Sequence, residues 1–234
     1  MLTANIESLG LRKGDSVLDI GCGEGRHCHG VQMLTQAQAV GVDLDTAALR
    51  IAADRALDLP GGPRAEFQAA DAGNLPFPAA AFDVVICSEV LEHVRDMAAV
   101  IAEAARVIKP SGIFAVSVPR AWPERICWKL APGKGGYADQ PGGHVRIVDA
   151  RQLRGLITNA GFRFLRSHYA HALHSPYWWI KTAFWPRRDD HPMVRAWHRM
   201  LVWDMMQRPA ITQLAERLLN PVIGKSLVLY FERQ

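Results

Sequence analysis

The stretch VLDIGCGEG at residues 17–25 runs from aliphatic residues straight into three glycines at alternate positions. An apolar run that closes this way reads as a strand turning into a helix, since glycine lets the backbone bend sharply and approach a ligand with no Cβ in between. Taken alone, such a turn also fits a plain strand-to-helix connection. A second run, VGVDLD (40–45), closes on Asp43, 22 residues after Gly21. An acid at that place can accept both hydroxyls of a ribose. A third closes on Asp71, placed either to accept from an exocyclic amine or, as Asp often does, to shape a turn.

Working outward, SVLDIG (16–21), AVGVDL (39–44), AEFQAAD (65–71), FDVVICS (82–88) and GIFAVSV (112–118) alternate with sequence of helical length. That alternation reads as a parallel, doubly wound sheet, whose ligands bind at the carboxyl ends of the strands. Residues 46–58 read as a helix capped by Thr46 with Leu49, Ala52, Ala53 and Ala56 inward. Residues 96–109 do the same with Val100, Ile101, Ala104, Ala105 and Ile108, and stop at Pro110.

The glycine spacing discriminates between cofactors. A dinucleotide fingerprint needs G-x-G-x-x-G, whereas here the pattern is G-x-G-x-G, and Arg26 stands where the third glycine of that fingerprint belongs. Asp19 and Glu24 flank the turn, and their charge repels a pyrophosphate while suiting a cationic amino acid. A nicotinamide oxidoreductase on a similar sheet is therefore the lesser alternative. Arg26 and His27 sit where they could face the cleft, or bond to a carboxylate or water at the helix start.

The whole chain has 234 residues, 49% hydrophobic and 21% charged, with four cysteines and a net charge of +4. It is long enough to bury a core without metal or disulfide staples. The cysteines form no C-x-x-C pair and no signal-peptide pattern opens the chain, which fits a reducing cytoplasm. No run of 18 uncharged apolar residues is present, so a membrane-spanning helix is not expected. A charge this small disfavours nucleic acid as the main partner.

VLDIGCGEG (17–25), VGVDLD (40–45), AADAGNLPF (69–77), FDVVICSEVLEHV (82–94) and RVIKPSGIFAVSVP (106–119) resemble, in order, the motifs of class I S-adenosylmethionine-dependent methyltransferases, especially the quinone-biosynthesis type. The resemblance covers residues 14–120 closely and 144–166 more loosely. It implies a Rossmann-like α/β fold, doubly wound and seven-stranded, with the last strand antiparallel. It also implies S-adenosyl-L-methionine as methyl donor and S-adenosyl-L-homocysteine as product. On this likeness Asp19, Gly21, Cys22, Gly23 and Gly25 surround the methionine part, Asp43 and Leu44 take the ribose end, and Asp71 with Ala72 the adenine. Ser88 and Glu89 line the cleft near the sulfonium. The Cys22 thiol itself reads as packing. Residues 144–162 become a helix opening at Asp149 and ending at Gly161, with Leu153, Leu156 and Ile157 buried. Phe162 to Ala170 becomes the sixth strand and Ser226 to Glu232 the last.

Methyl transfer needs the acceptor held in line with the departing sulfur, and a hydroxyl acceptor must also lose a proton. His144 and His93 are the candidates. E-x-x-E-H followed by a distant histidine resembles the divalent-metal set of small-RNA 3′-terminal 2′-O-methyltransferases, which makes Glu89, Glu92, His93 and His144 candidate ligands for Mg²⁺ or Mn²⁺. The other readings of these histidines are a metal-free base, an orienter of the acceptor, or a structural role.

Three parts follow: 1–119 with 144–170 and 224–234 as the cofactor-binding domain, 120–143 as a lid loop, and 171–223 as a helical insertion capping the acceptor. All seven tryptophans lie after residue 120, and between His174 and Arg208 five of them interleave with six basic residues. Val194, Trp197, Leu201 and Met205 recur at helical spacing. Such a stretch suits an extra core layer, an acceptor pocket, or a peripheral membrane patch on the inner face. The expected activity is methylation of a small or amphiphilic acceptor, most readily at a hydroxyl of a lipid, quinone or sugar-like molecule. A non-catalytic S-adenosylmethionine-binding protein is the remaining alternative, and a monomer or homodimer fits equally.

Overall fold

The computed structural model describes residues 2–60, 65–140 and 142–234; Met1, residues 61–64 and Pro141, which belong to the expected domain and lid segments, lie outside these. Strands β1 (Ser16–Ile20), β2 (Gln38–Asp43), β3 (Ala65–Ala69), β4 (Phe82–Ser88), β5 (Ile108–Pro119), β6 (Phe162–Ala170) and β7 (Ser226–Arg233) form one sheet in the order β3-β2-β1-β4-β5-β7-β6. Strands β1 to β5 pair in parallel, and β7 runs antiparallel between β5 and β6.

Side-chain alternation along each strand sends successive residues to opposite faces. Leu18, Val85, Cys87, Phe114 and Val116 face one core with helices α3 (Met97–Val107) and α5 (Ala150–Asn159). Val17, Val84, Ile86 and Ala115 face the other, with α1 (Arg26–Leu34) and α2 (Thr46–Leu57). Both faces are covered, which is why these strands read as nearly continuous apolar runs.

Helix ends differ in detail from the sequence reading. Asp45, not Thr46, caps α2, accepting from the Ala47 and Ala48 N–H groups; Leu49, Ala52 and Ala56 are buried while Ala53 is exposed. Asp96 and Asp149 cap α3 and α5 in the same way. Leu156 is only partly covered, at the margin of the core.

The segment expected as a lid loop begins with helix α4 (Ala121–Leu130). Pro123 is tolerated there because the first helical turn has no backbone acceptor for its missing N–H. The insertion forms α6 (His174–Ala183), α7 (Pro192–Gln207) and α8 (Ala210–Ile223). In α7 the inward positions are Val194, Leu201 and Asp204, and Met205 is exposed. Spacings of three and four residues both keep a helical stripe, and here the three-residue step from Leu201 places an acid inside. Trp178, Trp179 and Trp185 pack against Cys127, Ala131 and Tyr137 below α4 instead of facing outward. Helix α8 is reversed: Thr212 and Glu216 are buried, while Ile211 and Leu218 are 73% and 67% exposed.

Between β1 and α1 the chain turns through Gly23 (φ +52°) and Gly25 (φ +79°). A Cβ on Gly25 would stand 2.8 Å from the Phe67 ring and 2.9 Å from Ala52 Cβ, whereas one on Gly23 would meet nothing within 4 Å. Gly25→Ala combines left-handed strain with overpacking and is expected to cost about 2–4 kcal/mol in urea unfolding. Gly23→Ala carries the strain alone and should cost about 1–2 kcal/mol. Equal losses in the two variants would contradict this packing.

Candidate functional site

Strand order reverses between β1 and β4: from β1 the chain moves outward to β2 and β3, then returns to β4 on the other side of β1. Connections leave in opposite directions there, which opens a crevice at the carboxyl ends of both strands. The expected cofactor residues lie at or just beyond the carboxyl ends of β1, β2, β3 and β4.

The glycine turn forms one wall. Cys22 N–H donates to the Val42 carbonyl, and Gly23 N–H donates to Asp43 Oδ2 at 2.8 Å, so the loop is tied to the tip of β2. Asp43 Oδ1 accepts from Asp45 N–H. Leu44 beside it is 73% exposed. Asp71 is exposed, and its Oδ1 accepts from Gly73 N–H, so it does shape a turn; Ala72 is half-buried beside it. Cys22 is buried against Gly23, its thiol donating to the Gly23 carbonyl at 3.6 Å. Burial raises that thiol well above the ordinary range, so it is no nucleophile.

Asp19 is buried beneath the turn, and burial pushes its carboxyl up to about 7 against the pull of Arg26. Neither Arg26 nor His27 reaches the crevice freely. Arg26 donates to Thr3 Oγ1 at 3.1 Å, and buried His27 accepts through Nε2 from the Thr3 and Ala4 N–H groups at 3.3 and 3.4 Å. Both pin the N-terminal segment to α1, a partnership across more than twenty residues that no local pattern announces.

The opposite wall follows β4. Ser88 Oγ lies 2.9 Å from Ser117 Oγ, and Ser117 Oγ donates to Glu89 Oε1 at 2.9 Å. Glu89 adopts φ +57°, a left-handed conformation worth about 1–2 kcal/mol of strain in a residue with a Cβ. It is held by its N–H to the Ser117 carbonyl.

Beyond it the chain re-enters at residues 143–145 and docks onto the β4 turn. Val145 N–H donates to the Glu92 carbonyl, and His93 Nδ1 lies 3.2 Å from the Gly143 carbonyl. His93 and His144 meet edge to face at 4.9 Å. Glu92, His93 and His144 present ligand atoms within 4.8 Å of one another, the one such group of three among the described residues; Glu89 stands outside it, on Ser117. Glu92 is 1% exposed and neither carboxylate oxygen has a hydrogen-bond partner. Burial, reinforced by the charge of Glu89, holds its carboxyl well above the usual range. Burial and the neighbouring His144 lower His93.

The residue missing from the sequence reading is Glu124 in α4. Its buried Oε1 lies 2.6 Å from His144 Nδ1 and accepts from Trp128 Nε1 at 3.0 Å, while Oε2 accepts from the Tyr137 hydroxyl at 3.3 Å. Burial pushes this carboxyl up, but the His144 hydrogen bond and charge, Lys225 and Trp128 outweigh it and leave Glu124 below the ordinary range. With Nδ1 engaged, His144 Nε2 has no hydrogen-bond partner among the described residues. His144 also lines a cavity of about 280 Å³ that opens beneath the tryptophans of the cap.

Residues 11–160 match the family described as "Methyltransferase domain". The chain is 40% identical over 108 residues to 27-O-demethylrifamycin SV methyltransferase of Amycolatopsis mediterranei (strain S699), covering 46% of this chain and 40% of that protein. It is 33% identical over 153 residues to a probable S-adenosylmethionine-dependent methyltransferase of Mycolicibacterium smegmatis (strain ATCC 700084 / mc(2)155), covering 64% and 52%. The chain thus spans about half or less of the length of these relatives. Among solved structures, geranyl diphosphate methyltransferase in complex with SAM superposes with a TM-score of 0.63 at 14% identity, over 98% of this chain and 82% of that one, a likeness of fold. The sheet order, the crevice at the β1–β4 reversal and the match across most of the chain make this protein a member of the S-adenosylmethionine-dependent methyltransferase family, with the Rossmann-like class I fold.

Proposed function

We propose that this protein transfers a methyl group from S-adenosylmethionine to a hydroxyl oxygen of a small or amphiphilic acceptor, with the Glu124–His144 pair receiving the hydroxyl proton. The observation that carries this reading is the 2.6 Å contact between buried Glu124 and His144 Nδ1, which leaves Nε2 without a hydrogen-bond partner among the described residues on a histidine that lines the cavity. S-adenosylmethionine, when bound, supplies a methyl group on a positively charged sulfur that leaves as a neutral thioether.

The crevice fits this donor on its own geometry. Space above Gly23 is open, so the main chain can lie against the methionine part, with Gly21, Gly25, Asp19 and Cys22 around it. Asp43 accepts one backbone N–H on each oxygen; a carboxylate has about four acceptor sites, so both oxygens still have a lone pair for a ribose hydroxyl. Leu44 offers an apolar side chain to be covered, and Asp71 with Ala72 borders the adenine side. Ser88 and Glu89 border the sulfur.

On the acceptor side the residues work as a relay of positions. Glu124 orients the imidazole and stabilises its protonated form, as a carboxylate does behind a histidine base. The acceptor oxygen forms its bond to the methyl carbon as the carbon–sulfur bond breaks, and the hydroxyl proton passes to His144 Nε2. His144→Ala should lower turnover with labelled donor by about 10²–10⁴-fold, with S-adenosylhomocysteine affinity in calorimetry unchanged. Glu124→Gln should reduce kcat in the same direction and flatten its dependence on pH. Full activity in His144→Ala, read on a panel of hydroxylated acceptors including catechol, would reject the role.

The unpartnered Glu92 carboxylate, with His93 and His144 beside it, also fits a divalent cation. Glu124 and the Gly143 carbonyl would then orient the two ligand imidazoles from behind. Bound there, Mg²⁺ or Mn²⁺ would occupy His144 Nε2 in place of the proton and instead lower the pKa of an acceptor hydroxyl, so the metal and the histidine base are exclusive alternatives. Titration calorimetry with Mn²⁺ is expected to give heat that Glu92→Gln abolishes. No heat, together with unchanged turnover after verified chelation, would remove the metal from the account.

A second reading, peripheral membrane attachment, is favoured by the reversed helix α8. No helix of the described residues is long and apolar enough to cross a bilayer. Ile211, Leu214, Leu218 and Val222 nevertheless form an exposed stripe flanked by exposed Arg208 and Arg217, a composition suited to an anionic interface. The stretch 174–208, where such a patch was expected, also exposes Met193, Val202, Trp203 and Met206. The protein should float with vesicles containing phosphatidylglycerol and not with phosphatidylcholine alone, and Leu214→Ser/Leu218→Ser should abolish flotation. Failure to float on either, or a dimer lost in the same variant, would contradict attachment.

A further inference from the structure

Resting on the O-methylation reading, we infer that the acceptor is a ring compound carrying an anionic group, and that Lys181, Arg188 and Lys225 form the subsite for that anion. The cavity beside His144 is walled by Tyr137, Trp178 and Trp185, and these three cations line it with no carboxylate among the lining residues.

The cations are held by the rings of the same wall. The Arg188 guanidinium stands 4.3 Å from the Trp185 ring centre, and Lys181 Nζ and Lys225 Nζ stand 5.5 and 5.6 Å from that of Trp178. Ring faces attract cations, and more so where water is scarce. Compensation by acids is thin. Exposed Asp189 serves Lys181 at 3.5 Å and Arg188 at 3.9 Å together; Lys225 has no acid at ion-pair distance among the described residues, and its charge acts only from farther off on buried Glu124 and Glu92, behind the cavity wall. Three like charges around one small cavity repel each other, so a bound anion relieves a cost that the free protein carries.

The wall is also preorganised. Trp185 Nε1–H donates to the Gly135 carbonyl at 2.8 Å, and Arg188 donates to the Trp185 carbonyl at 3.1 Å and to Gln140 Oε1 at 3.2 Å. Tyr137 meets Trp178, Trp185 and His144 edge to face. A cavity of about 280 Å³ lies at the small end of ligand pockets. It admits one ring, or the ring end of a longer amphiphile, placed with its anion on the cations and a hydroxyl toward His144. The rings supply affinity to any flat acceptor; the cations make the choice between charged and neutral ones.

The test compares 3,4-dihydroxybenzoate with 3,4-dihydroxybenzamide, which share ring and hydroxyls and differ in charge. Binding is read by calorimetry and tryptophan quenching with S-adenosylhomocysteine saturating. The acid is expected to bind about ten-fold more tightly, the ratio that one charge-assisted hydrogen bond supplies. Lys181→Met/Lys225→Met, which leaves the Arg188 contacts that order the wall in place, should remove most of that preference, with S-adenosylhomocysteine affinity as in the parent. Equal binding of acid and amide, a preference that survives the double variant, or no binding of either at millimolar concentration would overturn the subsite. Labelled transfer to a ring hydroxyl of the amide without preference for the acid would sink this inference alone. Preference for the acid without any transfer to oxygen would instead fault the proposed reaction.

Discussion

A parallel sheet that winds outward from its centre in both directions must leave one place where neighbouring strands send their connections apart, and here it lies between β1 and β4. Connections leave that place in opposite directions, so it is bordered by the turns that follow the two strands. The glycine turn after β1 is fastened to β2 through Gly23 and Asp43, and the turn after β4 is fastened to β5 through Glu89 and Ser117. These two fastenings set the width of the crevice, and the donor half of the chemistry depends on them.

The acceptor half is assembled from farther away. Glu124 comes from the helix after β5, His144 from the chain's return to the sheet, and Tyr137 from the connection between them. One buried carboxylate gathers a phenol, an indole and an imidazole, so its burial cost is met by three donors. Trp178 of the cap helix α6 and Trp185 just after it then add the indoles that close the cavity above. Removing the negative charge at Glu124 would therefore loosen the lid and the histidine together, which makes it both a structural keystone of this half and a positioning residue.

The sheet and the turns at its carboxyl edge were legible in the sequence because their signals are local. Alternating apolar residues, glycines at fixed spacing and acids at strand ends each report a backbone requirement within a few positions. All seven strands and the antiparallel β7 follow from such patterns together with the family likeness. The partner of His144 lay hidden because Glu124 stands 20 positions away in a stretch whose glycines and prolines read as loop. Burial in the cap was harder still. The stripe of α7 closes on Asp204 and not Met205, and α8 turns its polar side inward, where Glu216 accepts from the Ala172 and Leu173 N–H groups. Hydrophobic periodicity predicts which face is buried only when the interior is apolar, and this interface is organised around backbone donors.

A structure with S-adenosylhomocysteine bound tests the central claim most directly. The account predicts the adenosyl group over the glycine turn with its ribose on Asp43, and the sulfur facing the side of the crevice where Glu124 and His144 meet. An adenosyl group seated elsewhere, such as the groove bordered by Arg55 and Arg208, or a sulfur walled off from His144, would contradict it.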